Sequence, residues 1–222
     1  METIQSKYTQ LCHTPSDINQ HLPTLYQYAK ECTKILETGV RGCVTSWALA
    51  YGLLQNENPI GKRYMLLNDI KECDIAEFLQ STQNLDIQIE YQWVNNLDLT
   101  IYQTVDMTFI DTWHVYGQLK RELAKFAPIT KKYIIMHDTT VDEIEGETFR
   151  ISAELNLKGG SLSDKLAWNA DEQSIITGIP VEEINCGLGK AIEEFLQENT
   201  NWVLKAKFTN NNGLTVLSRI RP

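Results

Sequence analysis

A chain of 222 residues with 42% hydrophobic and 22% charged residues suits a single globular domain with a sizeable core. A formal net charge of −9 without any Lys/Arg cluster excludes a nucleic-acid partner held through phosphates. With no apolar run of about 18 residues, membrane insertion is excluded as well.

Five scattered cysteines (Cys12, Cys32, Cys43, Cys73, Cys186) show no CxxC spacing. That argues against a zinc site or disulfide framework and fits a reducing, cytoplasmic setting. The N-terminus, METIQSKYTQ, is polar and lacks the apolar core of a signal peptide.

In chain order, residues 1–15 read as a polar lead-in. Ser16 or Asp17 then caps a helix with Ile18, Leu22, Leu25, Tyr26 and Ala29 on one face and Pro23 near its start. The lead-in of residues 1–32 is thus expected to be helical where it meets the first strand. The first strand is Lys34–Glu37, followed by the loop Thr38-Gly39-Val40-Arg41-Gly42 and an apolar helix from Cys43 to Leu54. Further strands are expected at Arg63–Leu67, Ile87–Trp93, Val105–Ile110 and Tyr133–Met136. Helices are expected at Ile70–Gln83, with Ile75, Ala76 and Leu79 inward, and at Val115–Phe126.

Such alternation predicts an α/β fold. The expectation is a Rossmann-like, seven-stranded, mostly parallel sheet with helices on both faces. Residues 139–185 are polar and irregular, as an acceptor-binding segment or lid would be. After a helix at Gly189–Glu198, strands at Trp202–Phe208 and Leu214–Ile220 flank an Asn-Asn-Asn-Gly turn, which makes the last pair an antiparallel hairpin.

Three strands end on a lone acid: Glu37, Asp69 and Asp111. In an open α/β sheet such ends line one crevice. A dinucleotide fingerprint needs a second glycine where Arg41 stands, and an acid about 20 residues on. Here Asp69 follows Glu37 by 32 positions. A loop that need not hug a pyrophosphate fits a ligand without phosphate, such as S-adenosylmethionine (SAM). An NAD-dependent oxidoreductase is correspondingly disfavoured.

The stretches ETGVRG, DMTFIDTWHVYGQLKREL, YIIMHDT, LGKAIEEFL and NNNGLTVLSR carry a family resemblance in their order and spacing. Over residues 16–220 the chain resembles class I SAM-dependent methyltransferases, and among them the cephalosporin hydroxylase and rhamnosyl O-methyltransferase group. The resemblance implies that Glu37, Thr38, Gly39, Arg41 and Gly42 hold the amino-acid end of SAM. Asp69, with Asn68 beside it, would take the ribose hydroxyls. Asn96, or its neighbours Asn95 and Asp98, would lie near adenine, and Asp111, a catalytic candidate, under the sulfonium and the acceptor. In metal-using relatives the acids ending the fourth and fifth strands bind Mg2+ or Mn2+; those match Asp111 and Asp138. The implied reaction is O-methylation of a small acceptor, a sugar or glycan unit first, in a protein free to form a homo-oligomer.

Beyond the resemblance, His114 is the candidate catalytic base, three residues past Asp111. Plainer readings stand beside these. Glu37 and Gly39 also suit an ordinary turn, Asp111 a helix cap, and His114 simple packing. The five tryptophans are core by default, with Trp113 and Trp168 as sugar-stacking candidates. The acidic run Asp142–Glu147 reads as a solvated loop. A non-catalytic SAM-fold module of a glycan-making assembly is the alternative to an enzyme.

Overall fold

The computed structural model describes residues 1–220. One seven-stranded sheet organises them, in the order β3-β2-β1-β4-β5-β7-β6. Its strands are β1 (Lys34–Thr38), β2 (Tyr64–Asp69), β3 (Gln88–Trp93), β4 (Val105–Ile110), β5 (Thr130–His137), β6 (Trp202–Phe208) and β7 (Leu214–Arg219). The pairs β1/β2, β1/β4, β2/β3 and β4/β5 are parallel, while β7 runs antiparallel to both β5 and β6. This is the expected Rossmann-like arrangement with an antiparallel C-terminal pair. Strand order reverses between β1 and β4, so the crevice above their carboxyl ends is where such a sheet takes a ligand.

The helices α1 (Glu2–His13), α2 (Leu22–Ala29), α3 (Val44–Leu54), α4 (Ala76–Thr82) and α5 (Tyr116–Phe126) precede or link the parallel strands. Helix α3 is apolar on nearly every side, and its Trp47, Ala48, Leu49, Ala50 and Leu53 are all buried. They join Ile35, Met65, Met107 and Phe109 in one core. A second core on the opposite face unites Leu36, Leu66, Ile110, Leu119, Leu123 and Phe126 with Phe195 and Trp202.

Several boundaries depart from the sequence reading. Residues 2–13 are helical, because Ile4 is buried with Tyr8 and Leu11 packed beside it. The next helix starts only at Leu22, after a short 3-10 turn, since Ser16 Oγ accepts from the Ile18 N–H in a local turn rather than capping a helix. The helix expected from Ile70 starts at Ala76. Its inward residue is Phe78, and Leu79 faces solvent, 40% exposed.

The largest departure is residues 139–185. They fold as four helices, α6 (Glu147–Lys158), α7 (Leu162–Ala167), α8 (Ala170–Thr177) and α9 (Val181–Asn185), ahead of α10 (Leu188–Glu198). Asn169 caps α8 by accepting from the Asp171 and Glu172 N–H groups, and Ser161 caps α7. Their surface keeps Leu157, Leu162, Ile175 and Ile176 exposed, which erases the apolar periodicity that marks a packed helix. Among the described residues no helix is long and apolar enough to cross a membrane.

Candidate functional site

The β1–α3 loop turns on Gly39. Its φ is +86°, and a Cβ there would sit 1.8 Å from the Asp111 carbonyl oxygen. Only glycine allows the β1 and β4 loops to approach this closely. The Gly39 N–H donates to Asn68 O at 2.9 Å and the Asp111 N–H to Thr38 O at 3.0 Å, so the three strand ends are tied by backbone. Gly42 has no such constraint. Arg41 carries the left-handed backbone itself (φ 44°), where the fingerprint has glycine. Its N–H donates to Asp69 Oδ2 at 2.9 Å, and its guanidinium pairs with Asp17 at 2.6 Å.

A cavity of about 340 Å3 opens above this junction. Of the residues expected at a cofactor, Gly39, Arg41, Asn68, Asp69, Asn95, Asn96 and Asp111 border it. Ile70, Thr112, Trp113, Gln118 and Thr177 complete its walls. Asp69 holds the Lys71 N–H on Oδ1 and the Arg41 N–H on Oδ2, each at 2.9 Å. A carboxylate oxygen has two acceptor sites, so one on each oxygen stays open for hydroxyl donors. Asn68 spends its amide N–H groups on Gln92 O and Val94 O, joining β2 to the loop after β3.

Glu37, Thr38 and Gly42 do not border the cavity, which corrects the expectation that all three strand-end acids line it. Glu37 is fully buried beneath the loop, where its carboxylate accepts from Thr45 Oγ1. Its Oε2 is buried without a partner, as is Ser46 Oγ. Burial pushes the Glu37 carboxyl up to about 7, against the pull of the Thr45 hydroxyl. Thr38 Oγ1 donates to Phe109 O inside the sheet. Asp98 is exposed and lies away from the cavity.

On the far side of Asp111 lies an ionic cluster built from three loops. His114 Nε2 is 3.3 Å from Asp111 Oδ1 and 3.1 Å from Asp138 Oδ2. His137 Nδ1 meets the same two oxygens at 3.3 and 3.2 Å. The other His114 nitrogen faces Asp142 at 3.4 Å and Glu147 at 3.6 Å. Burial opposes charging the imidazoles, but their carboxylate neighbours outweigh it. His137 is lifted to about 10 by Asp111 and Asp138, and His114 is raised well above its ordinary value by Asp111 and Asp142. Burial would likewise raise Asp111, yet hydrogen bonds from His114 and His137 hold its carboxyl well below the usual range. In this arrangement His114 holds a proton, the acid form of the base expected from the sequence.

Asp142 corrects the picture of a solvated acidic run. Its side chain is fully buried and bidentate to Arg150, at 2.5 and 3.0 Å, and Glu147 is largely buried beside His114. The hairpin turn was legible only as a turn, yet it supports the site. Asn211 O meets His137 Nε2 at 3.1 Å, and Gly213 fits against Thr140, where a Cβ would clash at 2.3 Å. Trp113 Nε1 donates to Thr148 Oγ1 at 3.0 Å, which donates on to Gln173 Oε1 at 2.7 Å, so the crevice wall is tied to α6 and α8. Trp93, expected in the core, is 59% exposed. A separate groove of about 400 Å3 between α5 and α10 opens at the opposite edge of the sheet.

Ligand atoms of Asp111, His114 and Asp138 lie within 4.8 Å of one another. Two carboxylates with an imidazole nitrogen make a donor set that fits a divalent cation.

No protein-family model and no curated protein matches the sequence. Solved structures match over almost the whole chain. A candidate caffeoyl-CoA O-methyltransferase from Staphylococcus aureus has a TM-score of 0.57 at 13% identity, covering 98% of this chain and 91% of its own. TomG, an O-methyltransferase from Streptomyces achromogenes solved with SAM, gives 0.56 at 12%, covering 98% and 90%. An O-methyltransferase from Bacillus cereus solved with S-adenosylhomocysteine (SAH) gives 0.55 at 13%, covering 98% and 89%. At these identities the likeness is one of fold.

Proposed function

We propose that this protein is a SAM-dependent O-methyltransferase acting on a hydroxyl of a small acceptor, with sugar or glycan units as the first class to test. The observation that carries the reading is the single crevice at the sheet's switch point, with Asp69 on one wall and the Asp111 cluster on the other. Structural neighbours solved with SAM or SAH support the donor half.

Asp69 binds the ribose hydroxyls, the turn at Gly39 and Arg41 takes the amino-acid end, and Asn95, Asn96 and Gln118 lie at the adenine end. The sulfonium is already activated, so the protein chiefly aligns acceptor oxygen, methyl and sulfur. Such positioning is worth about 7–11 kcal/mol. Asp111, between donor and cluster, orients the accepting hydroxyl; His114 can take the hydroxyl's proton only in its neutral form, after releasing the one its carboxylate neighbours hold on it.

A divalent cation held by Asp111 and Asp138 would replace the imidazolium protons as the cluster's positive charge and lower the pKa of a coordinated hydroxyl. Residues 139–185 form the acceptor-side cap, with Trp168 and Phe149 lining a small hollow of about 210 Å3. Five free cysteines agree with a reducing, cytoplasmic setting.

Thermal shift with SAM, SAH and NAD tests the donor: SAM and SAH raise the melting temperature and NAD does not, and the reverse result ends this reading. A panel of sugars, lipids and phenols with labelled SAM tests the acceptor. SAM binding without transfer to any of them points to a binding module instead. Dialysis against EDTA abolishes turnover and Mn2+ restores it; activity indifferent to both treatments removes the cation.

A further inference from the structure

Glu122, on the inner face of α5, is 1% exposed and was not singled out by its sequence context. Three residues bordering the crevice send donors into its single oxygen Oε1: Thr112 Oγ1 at 2.6 Å, Gln118 Nε2 at 2.9 Å, and Asn96 Nδ2. Gln118 Nε2 also donates to Asn96 Oδ1 at 3.0 Å. The other carboxylate oxygen, Oε2, is buried with no partner among the described residues. For stability alone, a well-packed apolar side chain serves as well as such a buried carboxyl with an unpartnered oxygen.

What the carboxylate does accomplish is orientation. Oε1 already takes donors from Thr112 and Asn96, so it is the accepting oxygen of the carboxyl, and the Gln118 atom facing it is the amide nitrogen. The Gln118 amide oxygen is thereby turned away, and it takes no hydrogen bond from the described residues. Gln118 itself borders the cavity, which is the open side left to that oxygen.

We propose that Glu122 is a positioning residue that locks Gln118 as an acceptor-only reader of the ligand's base, selecting a 6-amino purine over a 6-oxo purine. This rests on the donor reading above. An amide oxygen pairs with the exocyclic amine of adenine. At the same position hypoxanthine presents the acceptor O6, and its one donor on that edge, N1–H, is displaced from where the amine stood. A freely rotating glutamine would turn its nitrogen outward and accept both; the hydrogen bonds to Glu122 and Asn96 prevent that turn.

Calorimetry with SAH and its 6-oxo counterpart, S-inosylhomocysteine, tests the assignment. The wild type prefers SAH by roughly 30-fold, the scale of one lost hydrogen bond plus an unpaired buried acceptor. Gln118→Leu weakens SAH binding roughly 10-fold and brings the preference below about threefold. Glu122→Leu, of similar volume and apolar, collapses the preference by freeing the glutamine, with a smaller loss in SAH affinity. Glu122→Gln keeps an acceptor facing Gln118 and retains part of the preference. A merely structural Glu122 would lower the melting temperature and leave the SAH/inosyl ratio at its wild-type value, and that result overturns the proposal. Unchanged ratios in both Gln118→Leu and Glu122→Leu, with SAH still bound, overturn it while the donor reading stands. A wild type that binds neither compound overturns both.

Discussion

On one side of Asp111 the crevice is made of backbone; on the other it is made of charge. The donor side holds its shape through peptide groups: Gly39 N–H on Asn68 O, Asp111 N–H on Thr38 O, and two backbone N–H groups on the Asp69 carboxylate. The acceptor side holds Asp111, Asp138, Asp142 and Glu147 around His114, with His137 and Arg150 supplying further positive charge. Short loops on adjacent strands can be set by local conformation. A cluster drawn from the β4–α5 loop, the β5 end, α6 and the hairpin turn needs the whole sheet to be in place. The donor side should therefore be sensitive to backbone substitutions, and the acceptor side to charge.

The largest expected effect is at Gly39. In Gly39→Val the Cβ collides with the Asp111 carbonyl, so stability falls by more than about 3 kcal/mol and SAH binding is lost. A melting curve and calorimetry check this; wild-type values in both would show that the β1 and β4 loops are not held by that contact.

Glu37 comes next. Its native carboxyl is raised from an ordinary 4.5 to about 7 by burial, so the folded chain keeps a proton that the unfolded chain releases. Stability contributed by this group falls as pH rises through that window, and above it the full penalty is about 3 kcal/mol. Glu37→Gln flattens the slope, melting close to wild type at acid pH and above it at pH near 8. Parallel melting-temperature profiles for the two proteins would mean that burial does not raise this carboxyl.

Asp69→Ala comes third. It removes both acceptors for ribose and weakens SAM roughly 10–100-fold, leaving the acceptor KM unmoved. Unchanged SAM affinity removes the ribose role. The smallest effect belongs to the cap: Trp168→Ala raises the acceptor KM about two- to fivefold through lost stacking, with SAM affinity intact. A shift in SAM affinity instead of KM would join the cap to the donor side and erase the contrast between the halves.

Strand identity, strand order along the chain and the final hairpin were legible in the sequence, because apolar runs of four to six residues bounded by Gly, Asn and Asp are local signals. So were Asp69 and Asp111 as neighbours across one crevice, since strand ends of a parallel sheet share an edge. Glu37 was legible as a strand-end acid but not as a buried one; its depth depends on α3 packing over it. The helices of residues 147–185 escaped because their apolar residues face outward as often as inward. Asp142 looked like one acid in a solvated run, and only its distance from Arg150 and His114 shows otherwise. Glu122 was invisible for the same reason: a glutamate in a helix looks solvent-facing until the residues opposite it are known.

The Gly39–Gly42 turn shows the division most clearly. The chain by itself specified a strand, a turn and an apolar helix, with an arginine where a phosphate-hugging loop needs glycine. Local steric preference and periodicity suffice for that. That Gly39 alone is required there, that Arg41 aims its amide at Asp69, and that Asp111 separates a backbone-tied crevice from an ionic cluster were decided by tertiary structure. Those features depend on atoms from residues far apart in the chain, such as Gly39 and Asp111, meeting within a few ångströms.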